Sequence, residues 1–161
     1  MPEIHLTTFI AAPVERVFDL SRSINLHRVS MTKFKEKSVR GRMNGLMQLH
    51  DTVTWSARHL WKTRILQIKI TRLHKPSLFI DEQVFGDFKT MKHEHFFKPC
   101  ENGTIMIDQF FFETPYGLLG QWINNFYLTH YMKGLIEVHN EAIRKAAESN
   151  QWKHYLIGNE E

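Results

Sequence analysis

At 161 residues the chain has the usual size of one domain and enough material to bury a core or enclose a cavity. Hydrophobic residues make up 42% and the formal net charge is +4, which argues against a disordered chain and against a dedicated nucleic-acid binder. No segment approaches the ~20 apolar residues of a membrane span and no stretch reads as a signal peptide; with Cys100 as the only cysteine, an internal disulfide is excluded and a cytoplasmic location is expected.

In chain order, Ile4–Ile10 reads as a strand. Pro13 opens a helix carrying Val14, Val17, Phe18 and Leu20 at helical spacing, and Leu26–Ser30 adds a second short turn. Lys33, Lys35 and Lys37 then alternate with Phe34, Glu36 and Ser38, the pattern of a strand with one solvated face, placed at Phe34–Val39. Gly41–His50 is a loop, whose Met43, Leu46, Met47 and Leu49 suit either an adaptable lid over an apolar guest or a loop packed onto its own core.

Strands follow at Thr52–His59, Lys62–Leu73, Leu78–Phe85, Met91–Lys98 and Thr104–Glu113, with a turn over Pro99–Gly103. The remainder is one helix from about Gly120 to Glu148, roughly 45 Å long and enough to cross a small sheet, with Gly134 in its middle. Residues 1–150 are read as one domain and residues 151–161 as a loosely attached tail.

Short links between successive strands imply an antiparallel meander, and the long helix must lie across one face of it. The predicted class is therefore α+β, a helix-grip arrangement of seven antiparallel strands around the C-terminal helix.

The segments IAAPVERVFDLSRSINLH (Ile10–His27), DTVTW (Asp51–Trp55), FIDEQVFGDFKTMKHEHFF (Phe79–Phe97) and GTIMIDQFFFETPYGLLG (Gly103–Gly120) carry a resemblance. They resemble the SRPBCC/START-like superfamily, which includes polyketide cyclase/dehydrase-like proteins, and within it a bacterial subgroup labelled "cell division inhibitor"-related. His50 and Trp61 stand where that subgroup usually has Gly, so ligand size does not carry over. The resemblance implies binding of lipids, quinones, polyketides or similar molecules. In some relatives the domain is fused to an epimerase-like oxidoreductase, which this chain lacks.

Residues two apart on a strand share a face. His93, His95 and Phe97 therefore line up, as do Met106, Asp108, Phe110 and Phe112, and a count across Gly86 brings Asp81 near His95. Three readings of Asp81, His93, His95 and Asp108 stay open: polar anchors in an apolar pocket, a metal site, or a structural network on either face of the sheet. Phe79, Phe85, Phe97 and Phe110 are expected to rim the cluster, and Trp55, Trp122 and Phe126 to meet between sheet and helix. The candidate ligand-binding residues are Trp55, Phe79, Asp81, His93, His95, Phe97, Asp108, Phe110, Phe112, Trp122 and Phe126.

No nucleophile elbow, Walker loop or dinucleotide fingerprint is present in the sequence. The expected function is binding or carrying a hydrophobic small molecule, with no cofactor, metal, catalytic residue, nucleic-acid partner or membrane span. The alternatives are a cyclase/aromatase- or hydrolase-type enzyme using His93, His95 and Asp108, and a partner module for an epimerase-like oxidoreductase.

Overall fold

Burial alternates strictly along Gly103–Glu113, with Thr104, Met106, Asp108, Phe110 and Phe112 inside and their neighbours less buried. That period of two lays one face of the strand on a core and shows how the sheet closes over its contents. The computed structural model describes the backbone of residues 2–115 and 118–157, with side chains at 2–115 and 126–157. Among these residues the strands are β1 (Glu3–Ile10), β2 (Lys37–Gly41), β3 (Thr52–His59), β4 (Lys62–His74), β5 (Leu78–Phe85), β6 (Thr90–Cys100) and β7 (Gly103–Glu113). They form one antiparallel sheet in the order β1-β7-β6-β5-β4-β3-β2.

The helices are α1 (Val14–Ser21), α2 (Ile24–Ser30), α3 (Leu118–Glu148) and α4 (Trp152–Leu156). α3 lies against α1, α2 and β1, so the sheet holds the helix as the strand pattern predicts. No described helix is long and apolar enough to cross a membrane. The interior packs as two clusters. One holds Ile10, Phe18, Leu20, Ile24, Val53, Ile70, Phe97 and Ile143, and the other Ile4, Met91, Phe110, Phe112 and Ile136. Each fully buried side chain of this size contributes roughly 1.5–3 kcal/mol.

Three expectations need correction. The basic stretch does not form a strand from Phe34: Thr32–Phe34 is a 3-10 turn, Lys35 is left-handed at φ 52°, and β2 starts at Lys37. The turn lets the Phe34 ring meet that of His59 at 5.0 Å between centres and brings the Glu36 carboxylate to His27, contacts that alternation along a strand would not give. The Pro99–Gly103 turn is shorter than expected, because Cys100 pairs with Gly103 and only Glu101 and Asn102 form the loop. Gly103 is required by close approach, since a Cβ there would lie 2.2 Å from the Ile10 carbonyl oxygen. The described part of the tail is not loose: Trp152, Tyr155 and Leu156 pack on the larger cluster, and the Arg16 guanidinium lies 4.4 Å from the Trp152 ring centre.

His50 and Trp61 adopt left-handed φ of 69° and 64°. They hold the backbone shape for which glycine is the unstrained choice, at a cost of about 1 kcal/mol each. Trp61 is 88% exposed.

Candidate functional site

β5, β6 and β7 are adjacent, and their pairing places Asp81 beside His93 and His95 beside Asp108. The Asp108 Oδ1 atom accepts from His93 Nε2 at 2.9 Å and meets His95 Nδ1 at 3.1 Å. The other His95 nitrogen, Nε2, lies 2.9 Å from Asp81 Oδ1. From above, Asn140 on α3 donates to Asp108 Oδ2 at 2.6 Å and to Thr8 Oγ1 at 3.3 Å. Asn140 interrupts the apolar row Ile136, Ile143, Ala147 on the buried side of α3. A polar residue in that stripe was the available signal for a fifth member of the cluster, and the strand argument alone does not reach it.

Both His95 nitrogens face carboxylates, so both are donors and the ring is an imidazolium. Burial by itself would lower its pKa; the hydrogen bonds to Asp108 and Asp81 outweigh burial and raise it to about 9. Burial would raise the Asp108 carboxyl, but hydrogen bonds from His93 and His95 hold it well below the usual carboxylate range. His93 is pushed down, first by burial and then by the adjacent His95 charge, so its ring is neutral. With Nε2–H spent on Asp108, its Nδ1 carries a lone pair.

A second group sits where α2 meets α3. The Ser30 hydroxyl donates to the His27 carbonyl at 2.7 Å, so at 2.8 Å from His139 Nδ1 its oxygen is the acceptor. His139 is held neutral, well below its ordinary pKa, by burial and then by the neighbouring His27. Its Nε2 therefore also carries a lone pair. His27 lies against Trp55 at 4.5 Å between ring centres, and its Nε2 is 2.5 Å from Glu36 Oε1. His27, Glu36, His139 and Asn140 were not among the expected site residues, because the helix-to-sheet contacts that unite them leave no local pattern.

These groups look onto a cavity of about 390 Å³ between the sheet and α3, within the range of small-molecule sites. Its walls are mostly apolar, drawn from both core clusters: Ile24, Val53, Ile70 and Phe79 from one, Met91, Phe110 and Ile136 from the other. Of the expected residues, Trp55, Phe79, Asp81, His93, His95 and Phe110 line it. Asp108 lies beneath His93 and His95 at 1% exposure, outside the lining. Phe97 and Phe112 also lie outside it, Phe97 against Phe18 and Phe79 and Phe112 against Phe88 and Phe110. Phe126 does not meet Trp55 between sheet and helix but is 85% exposed, because α3 turns that position outward. The Trp122 side chain lies outside the described residues.

The Gly41–His50 loop is tied down by backbone bonds from Ile24 N to Gly45 O and from Met47 N to Arg22 O. Met47 alone of its four apolar residues lines the cavity, while Met43 and Leu49 are exposed. Asp81, His93 and His95 have ligand atoms within 4.8 Å of one another, close enough to share an ion. His95 would have to give up a carboxylate and a proton to offer a metal a lone pair.

No family model matches the sequence, and no curated protein does. Solved structures do match. A START superfamily protein from Mycobacterium smegmatis superposes with a TM-score of 0.69 at 10% identity, over 92% of this chain and 98% of that one. The chain has the START-like helix-grip fold. A Thermus thermophilus protein gives 0.71 at 16% identity, over 91% of this chain and 99% of its own. The di-domain ARO/CYC StfQ of the steffimycin biosynthetic pathway gives 0.73 at 10% identity, over 92% of this chain and 52% of that one.

Proposed function

We propose that this START-like chain binds or carries a hydrophobic small molecule in the cavity between sheet and α3. The observation that carries this reading is a cavity of about 390 Å³ with apolar walls and a hydrogen-bonded polar floor at Asp81, His93 and His95. Apolar walls supply affinity through buried area, and a few fixed polar groups orient the guest. A fully packed interior has no room for such a molecule; this one leaves the space and holds the floor from three strands and a helix.

The test is titration with 1-N-phenylnaphthylamine, an uncharged fluorophore. Saturable one-to-one binding is expected, with loss in Ala57→Trp, which puts an indole into the cavity from β3. Binding that survives Ala57→Trp in a folded protein rejects the cavity as the site.

A second reading has one observation in its favour. Asp108 fixes the neutral His93 by one nitrogen and leaves the other toward the cavity, which is the arrangement of a general base. His95 is no acid for a guest, because both its N–H groups are engaged. Exchange of solvent deuterium into a bound carbonyl guest, lost in His93→Gln, separates an enzyme from a carrier.

A further inference from the structure

Among the described residues, the N–H groups around Asp81, His93 and His95 are already committed within the protein. His95 gives both N–H groups to Asp81 and Asp108, His93 gives Nε2–H to Asp108, and Asn140 gives its amide protons to Asp108 and Thr8. The Ser30 hydroxyl goes to the His27 carbonyl, and His139 Nδ1–H goes to Ser30. The arginines of the wall are paired away from this floor: Arg22 with Asp19 and the Met47 carbonyl, Arg64 with Asp87.

What this floor leaves for a guest is a set of acceptors. Asp81 is 8% exposed and lines the cavity, and its Oδ2 has no hydrogen-bond partner among the described residues. His93 Nδ1 and His139 Nε2 are in the same condition. The floor also has an uncompensated charge, two carboxylates against the one imidazolium of His95. A buried unpaired charge or lone pair is costly until something satisfies it.

Resting on the binding reading of this same cavity, we propose that its guest is a cationic amphiphile, a protonated amine on an apolar body, with the ammonium seated at Asp81 and His93. An ammonium brings three donors and no acceptor. Asp81, His93 and His95 each place a ligand atom within 4.8 Å of the others, so the Asp81 carboxylate and the His93 ring are close enough for one ammonium to donate to both. A neutral alcohol fills one acceptor and leaves the charge. A carboxylate at this floor meets lone pairs and a net negative charge, with no N–H of Asp81's histidine partners left to receive it.

The test uses heads of different charge on one chain. Decylamine, decanol and decanoate compete with 1-N-phenylnaphthylamine at pH 7.5, where the first is protonated and the last ionised. Half-displacement is expected at a decylamine concentration at least tenfold below that of decanoate, with decanol between them. Asp81→Asn keeps an acceptor for His95 but turns an amide N–H to the cavity, so the advantage of decylamine over decanol should vanish and decanoate should gain. Probe binding by that variant reports that its cavity is intact, and the wild-type ranking decides the matter if it is not. Decanoate equal to or better than decylamine overturns the proposal while leaving the binding reading standing. Zinc alone, bound at one equivalent and displacing decylamine, also overturns it by making the floor a metal site. If the probe does not bind at all, both readings fall.

Discussion

Replacing Asp108 by Asn leaves the shape of the floor and removes its central charge. Asp108 is 1% exposed and receives three N–H groups, from His93, His95 and Asn140. An amide in its place can accept on one side only. If its oxygen faces the histidines, its NH2 opposes the Asn140 NH2, and if it is flipped the histidines lose their acceptor. Either way a buried donor is stranded, at about 1–3 kcal/mol, and the surviving bonds lose charge assistance worth about as much again. The sum, about 2–6 kcal/mol, brackets the usual cost of breaking a buried pair, about 3–5 kcal/mol. For a chain of this size that usual cost corresponds to a fall in Tm of roughly 6–20 °C. Urea and thermal unfolding followed by tryptophan fluorescence and far-UV circular dichroism measure it. A loss below about 1 kcal/mol by both routes would refute the assignment of Asp108 as the hub.

Stability should also depend on pH through the same hub. The His95 pKa is raised from 6.5 to about 9, so its contribution is complete below pH 6.5 and is lost as pH climbs through 9, by about 3 kcal/mol. Asp108 acts in the opposite sense: its pKa is depressed, so its contribution is present at neutral pH and is lost as pH falls below the carboxylate range. Urea midpoints should therefore decline from pH 7.5 to pH 9, above the range in which the buried neutral His93 and His139 cost stability by protonating on unfolding, and a flat profile there speaks against an imidazolium at His95. Ser30→Ala removes the acceptor of His139 Nδ1–H and should cost about 1 kcal/mol in urea unfolding, with no effect indicating that His139 bonds elsewhere. Gly103→Ala forces a Cβ toward the Ile10 carbonyl and should cost about 2–3 kcal/mol, whereas a neutral result would mean that β1 is not packed there.

The strands were legible because a half-buried strand writes its face into every second residue. β3 and β5 have the bounds the pattern gives, and the hairpin register sets His95 opposite Asp108 as the count from the turn allows. Which way that face pointed was not legible: alternation is the same whether the buried side meets α3 or the outside. The helical half of the site was hidden for a related reason. Asn140, His139 and His27 reach the floor only because α3 and α2 cross the sheet at one angle, and no local spacing encodes a crossing angle. Lys33 to Lys37 shows the opposite failure, an alternating pattern without a strand. There the inward pull of Phe34 and Glu36 on His59 and His27 bends the chain into a turn. Phe126 failed because an apolar residue at helical spacing need not lie on the buried face.

The central claim is that an apolar molecule enters the space between sheet and α3. Methionine methyl groups report on it directly, because Met31, Met47, Met91 and Met132 line the cavity while Met43 is exposed and Met106 is buried outside it. In carbon-13 methyl NMR of the whole chain, saturating 1-N-phenylnaphthylamine should shift those four signals and leave Met43 and Met106 in place. Shifts confined to Met43, or none at all, would contradict the account.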